Sequence, residues 1–365
     1  MDRRKFLKSG AVVGAAAASV CAAPSIVSAQ AKTFSWKMTN AYGPGAPFYV
    51  QGPGSPTDFI KMVDAMSGGR LKIQHFAAGE LIPALEGFDA VSKGTVEMNC
   101  ANSYFWSGKT FAAQYFTAVP FGMNALGMNA WLNHGGGLKL WEEVYAPFDI
   151  QPIPMGNTGV QMTGWFRKPV ERIDDFKGLK MRIPGLAGRV YQQLGVDVRL
   201  LPGGEIFPAL ERGVIDAAEF VGPFLDRQLG LHKVAKHYYT TGWHETATVS
   251  ELVINKRAWD SLPKDLQLIV ENACAACNAI SEAWAQKNNA EAFEDLVKNQ
   301  GVIAKPLPDE IVEALRKNNE KVLDEAISKD AFVKKVHDSY FAFKAKYDPW
   351  AAISEGVYHN KVRGS

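Results

Sequence analysis

The amino-acid sequence predicts an α/β protein built as two lobes of related construction. Three observations carry this. Strand-like and helix-like segments alternate from residue 33 onward, the β-α-β order of an α/β layer. An octapeptide, Gly79-Glu80-Leu81-Ile82-Pro83-Ala84-Leu85-Glu86, returns 125 positions later as Gly204-Glu205-Ile206-Phe207-Pro208-Ala209-Leu210-Glu211. Between the copies, residues 156–185 read as two strands around a turn region, with Gln161 inside the first strand and Arg182 at the end of the second.

The elements follow in order. Residues 33–38 alternate as a first strand, a Gly/Pro-rich loop covers 43–56, and 57–66 is helical up to Ser67-Gly68-Gly69. Residues 71–75 are a second strand. The octapeptide then opens a helix that stops near Gly94, and 96–100 is a third strand followed by the loop Asn102-Ser103-Tyr104-Phe105-Trp106. The second octapeptide runs through a helix to Gly213 and a strand that ends at Glu219-Phe220. Each lobe thus aims a strand-end loop with an aromatic residue at a shared cleft, the usual place for a ligand in α/β proteins. Residues 125–145 are helical, punctuated by His134-Gly135-Gly136-Gly137. Residues 250–255 form a strand that returns to the first lobe. Residues 264–300 contain no Gly or Pro and form one or two long helices; one continuous helix would run roughly 55 Å, enough to brace both lobes. A short strand at 301–304 and helix from 309 to 347 complete the chain.

These elements place lobe I at 30–157 plus 248–286, lobe II with the spanning helix at 158–247 plus 287–315, and a C-terminal helical tail at 316–365. Residues 1–29 form a leader. Arg3-Arg4-Lys5-Phe6-Leu7-Lys8 is a basic, twin-arginine n-region, residues 10–23 are small and apolar, and Val27-Ser28-Ala29 is a cleavage site. The mature chain is therefore expected in a bacterial periplasm. The leader carries +3 of a total of +2, so the remainder is −1 and shows no basic stripe for nucleic acid.

Several familiar chemistries are absent. The HGGG run has no G-x-S-x-G partner, and no HExxH, P-loop or GxGxxG occurs. Cys100, Cys274 and Cys277 follow the leader, an odd number that excludes a full disulfide framework. Cys274-Ala-Ala-Cys277 lies in a helical pattern and reads as packed thiols, with a disulfide between them left open.

Four polar side chains then stand at strand ends or in cleft loops: Gln161, Arg182, Glu219 and Glu245. The guanidinium is a planar fork that matches a carboxylate. Two carboxylates and an amide suit a hard cation such as Na⁺, Ca²⁺ or Mg²⁺. Two glutamates and a ligand carboxylate sum to −3; Arg182 brings this to −2, which a divalent cation cancels and sodium halves. Two alternatives stand beside this. The four are ordinary surface groups, or Glu219 and Glu245 are the paired carboxylates of a secreted, glycosidase-like hydrolase. Against the hydrolase, Arg182 would depress both acids, whereas a general acid needs its pKa raised.

Gly156-Asn157-Thr158-Gly159-Val160-Gln161, Gly164-Trp165-Phe166-Arg167, Asp175-Phe176-Lys177-Gly178-Leu179-Lys180-Met181-Arg182 and Ala209-Leu210-Glu211-Arg212-Gly213-Val214-Ile215-Asp216 resemble the substrate-binding proteins of tripartite ATP-independent periplasmic (TRAP) transporters, over essentially the whole mature chain. Gln161, Glu219-Phe220-Val221-Gly222-Pro223 and Gly242-Trp243-His244-Glu245 resemble the subgroup that binds 2-oxo or 2-hydroxy monocarboxylates through a metal ion. The resemblance implies a two-lobed, type II-like periplasmic binding protein fold that closes on its ligand, and a function in binding rather than catalysis. It implies that Arg182 pairs with the substrate carboxylate, that Gln161, Glu219, the Phe220 carbonyl and Glu245 hold Na⁺ or Ca²⁺, which the substrate also ligates, and that Tyr104 lines the pocket. Pyruvate, 2-oxobutyrate and lactate all fit. The implied partners are the transporter's membrane subunits and a second copy, joined through the C-terminal helix. Phe220 stands where a tryptophan is expected in that subgroup, and His244 replaces another.

Overall fold

The computed structural model describes residues 32–363; the leader expected at 1–29 lies outside them. The strands are β1 (Phe34–Asn40), β2 (Leu71–Phe76), β3 (Met98–Ala101), β4 (Ile150–Asn157), β5 (Gly164–Phe166), β6 (Lys180–Arg182), β7 (Asp197–Arg199), β8 (Ala217–Ala218), β9 (His237–Tyr239), β10 (Val249–Asn255) and β11 (Ile303–Lys305). The helices are α1 (Pro56–Ser67), α2 (Gly87–Ser92), α3 (Ala125–His134), α4 (Gly137–Tyr145), α5 (Gly185–Gln192), α6 (Gly203–Glu211), α7 (Pro223–Gln228), α8 (Lys256–Ser261), α9 (Lys264–Asn299), α10 (Asp309–Lys329), α11 (Ala331–Ile353) and α12 (Glu355–Val357). Among the described residues no helix is long and apolar enough to cross a membrane.

Two mixed sheets result, one in the order β2-β1-β3-β10-β4 and the other β11-β9-β5-β8-β6-β7. In β1 the alternation Phe34, Trp36, Met38 faces inward while Ser35 and Lys37 face solvent, as the two-residue period of a strand requires. That apolar face meets Phe59 and Val63 of α1 and Leu266, Val270 and Cys274 of α9. The outer strand β4 carries Pro152 and Pro154, which remove ladder donors and are tolerated at a sheet edge.

Helix α9 is continuous over 36 residues, the single-helix option of the sequence reading. It packs against α1 and β4 beside the first sheet and against α7 beside the second, so one rigid rod contacts the elements of both. Asp330 ends the first tail helix and caps the next, accepting the Phe332 and Val333 amides. The helical stretch expected over 309–347 is thus divided into α10 and α11.

Two expectations are corrected. Gln161 is not in a strand: β4 stops at Asn157 and the chain crosses between sheets before β5 begins at Gly164, with Gly159 at φ of +68°, a left-handed angle that a strand does not hold. The first octapeptide does not open a helix. There the Glu80 carboxylate folds back onto the Ala77 amide, Gly79 takes φ of +83°, and Leu81 is left exposed; helix begins only at Gly87. In the second copy Ile206 and Leu210 are fully buried, and the helix forms through Pro208. Burial of one apolar face decides between two backbones for nearly one sequence. Cys274 and Cys277 are free thiols buried in the core beneath β1, as is Cys100, which is the packed-thiol reading of the sequence.

Candidate functional site

Strands β6 and β8 are parallel neighbours with Arg182 opposite Ala218. The residues at and just beyond their carboxyl ends, Arg182 and Glu219, therefore meet. Arg182 Nη1 donates to the Glu219 carbonyl at 2.6 Å and to Glu219 Oε2 at 3.1 Å, and Nε donates to the Leu201 carbonyl at 3.2 Å. Nη2 has no hydrogen-bond partner among the described residues, and the Phe220 ring lies 5.9 Å from the guanidinium carbon.

Gln161 and Glu245 arrive on the two segments that cross between the sheets. These segments pair with one another: the Gln161 amide donates to the Glu245 carbonyl at 2.9 Å, and the Thr158 amide to the Thr248 carbonyl at 3.2 Å. Gln161 Nε2 donates to Thr158 Oγ1 at 3.2 Å and Thr248 Oγ1 at 2.8 Å, while the Thr248 hydroxyl donates to Glu245 Oε2. With its amide nitrogen thus engaged, Gln161 presents its oxygen elsewhere.

The bonds left unmade are the informative ones. Gln161 Oε1, Glu219 Oε1 and both ring nitrogens of His244 are buried with no hydrogen-bond partner. His244 Nε2 lies 3.6 Å from Glu219 Oε1, beyond hydrogen-bond length. Glu219, His244 and Glu245 each offer a ligand atom, and these atoms fall within 4.8 Å of one another; no other such trio occurs among the described residues. Native interiors satisfy nearly all buried polar groups, so this concentration of free acceptors fits a site that a cation completes.

Electrostatics point the same way. Burial pushes Glu219 up to about 7, with Arg182 pulling down. Glu245 is also pushed up to about 7, by burial first and then by Glu219. Burial holds His244 down at about 4, hence neutral. Arg182 does not depress the acids overall, contrary to the sequence expectation, because loss of water outweighs one guanidinium already shared with two carbonyls.

Tyrosines surround the cluster. Tyr104 is buried on the short helical turn after β3, against Gly185 at the start of α5, where a Cβ would come within 3.3 Å of the Tyr104 Cβ. Burial, and then the charge of Glu245, raise the Tyr104 phenol. Tyr42 stacks on Tyr49 at 3.7 Å and donates to Asn102 Oδ1 at 2.6 Å; Tyr49 meets Phe220 edge-on at 6.3 Å.

The structure thus brings together all six residues singled out from sequence: Tyr104, Gln161, Arg182, Glu219, Phe220 and Glu245. The sequence reading did not include His244, Thr248, Tyr42 and Tyr49 in the site. The place of His244 beside Glu245 was a usable signal. Nothing in the Gly/Pro-rich loop marked Tyr42 or Tyr49.

The sequence signature of the bacterial extracellular solute-binding proteins, family 7, matches residues 49–330. A monocarboxylate 2-oxoacid-binding periplasmic protein of Nostoc sp. is 41% identical, with all of both chains covered. A TRAP periplasmic solute-binding protein of Pseudoalteromonas atlantica, crystallised with sodium and pyruvate, is 38% identical with a TM-score of 0.87, covering 90% of this chain and 99% of that one. A TRAP solute-binding protein of Bordetella bronchiseptica, a mixed-occupancy dimer with copurified calcium and picolinate, is 35% identical with a TM-score of 0.88, covering 90% and 97%. These similarities are to binding proteins, and they set aside the hydrolase reading of Glu219 and Glu245.

Proposed function

Since the chain belongs to the bacterial extracellular solute-binding proteins of family 7, we propose that it is the periplasmic receptor of a TRAP transporter for a small 2-oxo or 2-hydroxy monocarboxylate of the pyruvate, 2-oxobutyrate or lactate type. One observation carries this reading: buried oxygen acceptors left without partners at Glu219 and Gln161, beside an arginine with a free Nη2. In it, Arg182 receives the carboxylate through Nη2. Gln161 Oε1, Glu219, the Phe220 carbonyl and Glu245 hold Na⁺ or Ca²⁺, and Tyr104 closes the pocket. The cation supplies the positive charge that lets two glutamates and an anionic ligand share a dry space; without it their repulsion opposes closure. The acid is bound and passed unchanged to the membrane subunits.

The same reading exports the chain by its twin-arginine leader and pairs two copies through the C-terminal tail. Exposed Trp350, Ile353 and Val362 near the tail's end, at 63%, 68% and 67%, support an apolar contact there; a monomeric mass by light scattering would remove the dimer. The central test is calorimetry of metal-stripped protein with pyruvate, in sodium-free buffer and then with sodium or calcium restored. Acid and metal should each tighten the other by one factor, and the acid should be recovered unchanged. Equal affinity under every condition overturns the metal bridge.

A further inference from the structure

His244 is not explained by an oxygen-only cation site. It is 1% exposed, both ring nitrogens lack partners, and Nε2 points at the Glu219 oxygen that also lacks one. A buried imidazole with no hydrogen bond at either nitrogen costs free energy, roughly 1–3 kcal/mol per unsatisfied group, so its orientation needs a ligand. The 3.6 Å between Nε2 and Glu219 Oε1 is too long for a hydrogen bond. It is a separation that two ligands on one cation take when each bond is about 2.1–2.5 Å long. Glu245 supplies a third donor within the same reach.

We propose that His244 Nε2 is a side-chain ligand of the bound cation, so that this site takes a divalent ion with imidazole affinity, of the Mn²⁺, Co²⁺ or Zn²⁺ type, in preference to Na⁺ or Ca²⁺. The proposal rests on the metal-bridged reading above and sharpens it. Carboxylate, amide and carbonyl oxygens alone suit hard ions, whereas one imidazole shifts the balance toward first-row divalent metals. Charge agrees: two glutamates, Arg182 and a monocarboxylate leave −2, which a divalent cation cancels.

The test uses the metal-stripped full chain in the presence of pyruvate, titrated with Co²⁺ and, separately, Ca²⁺. Co²⁺ is expected to bind at least tenfold tighter than Ca²⁺. His244→Gln should lower Co²⁺ affinity at least tenfold more than it lowers Ca²⁺ affinity, removing the Co²⁺ preference. Pulsed electron paramagnetic resonance of the unsubstituted protein loaded with Mn²⁺ should show the hyperfine coupling of a directly bonded imidazole nitrogen, a readout that does not depend on a variant folding. Ca²⁺ binding that requires Glu219 but no Co²⁺ preference and no nitrogen coupling overturns the role of His244 and leaves the metal bridge standing. Binding of neither ion overturns both.

Discussion

Glu251 and Glu219 are both fully buried glutamates, one in each sheet's territory, and their neighbours treat them in opposite ways. Glu251, on β10, accepts from the Trp106 indole at Oε1 and from the Tyr145 hydroxyl at 2.9 Å at Oε2. Asp226, on α7, is similarly closed: the Trp165 indole and Tyr238 hydroxyl donate to Oδ2 at 2.8 and 3.0 Å, and the Val221 and Gly222 amides to Oδ1 at 3.1 and 3.2 Å. Glu219 has one oxygen on Arg182 and the other on nothing. Burial raises all three, Glu251 to about 8 and Asp226 and Glu219 to about 7. A raised pKa therefore does not separate a site from a structural acid here. Unspent acceptor capacity does. Asp226 also has a secondary use, since it holds the amides two and three residues after Glu219 and so fixes the loop that presents Glu219 and Phe220.

Substitutions that separate the two kinds of acid test this contrast, and Arg182→Ala should have the largest effect. It removes the carboxylate anchor and the partner of Glu219 together, and calorimetry should detect no pyruvate binding, a loss of roughly 1,000-fold or more. Arg182→Lys keeps the charge without the fork and should fall in between. Binding by Arg182→Ala at the parent level would place the anchor elsewhere.

Glu219→Gln comes next. It should lower metal-dependent acid affinity by about 100-fold, near 2.7 kcal/mol, and it should also cost some stability, because the buried Arg182 guanidinium loses its charged partner. A variant that loses stability and keeps affinity would make Glu219 a structural acid like Glu251.

Asp226→Asn should cost about 1–3 kcal/mol of stability, since an amide NH₂ would face the Trp165 and Tyr238 donors. Acid affinity should fall about tenfold as the loop loosens. Unchanged affinity in the folded variant would show that the loop is held without Asp226.

Glu251→Gln should have the smallest effect on binding, within about twofold, and a distinct one on pH dependence. Because the folded state holds the Glu251 proton more tightly than the unfolded state, its stabilising contribution is present below the ordinary carboxylate value of 4.5 and is lost as pH rises toward about 8. Denaturant melts of the parent should lose stability across that window, and the Gln variant should lose less. Identical pH profiles would mean that Glu251 is not proton-coupled to folding.

Much of this was legible in the chain. Hydrophobic alternation in β1, the Gly-free and Pro-free run of α9, and Arg182 just ahead of Pro184-Gly185 are local patterns, and local patterns fix strand, rod and strand end. Arg182 and Glu219 could be named because one ends a strand and the other directly follows one. Gln161 lies in the cluster but not in the strand expected for it, because period-two apolar spacing at Val160 and Met162 mimics a strand while the left-handed angle of Gly159 turns the backbone between sheets.

What the sequence by itself determined is the set of elements and the chemical inventory: an α/β chain, a fork of donors, carboxylates and an amide, with the resemblance that gathers them. Tertiary structure alone decided which near-identical octapeptide became helix, since Leu81 remains exposed while Ile206 is buried. It alone decided that Glu251 and Asp226 are closed and Glu219 is not, and that His244 turns a free nitrogen toward Glu219. The physical reason is common to both. Helix propensity and residue type act within a few positions, whereas burial and hydrogen-bond satisfaction depend on partners far along the chain, 145 positions away in the case of Trp106 and Glu251, and those partners meet only when the two sheets and their crossing segments are assembled.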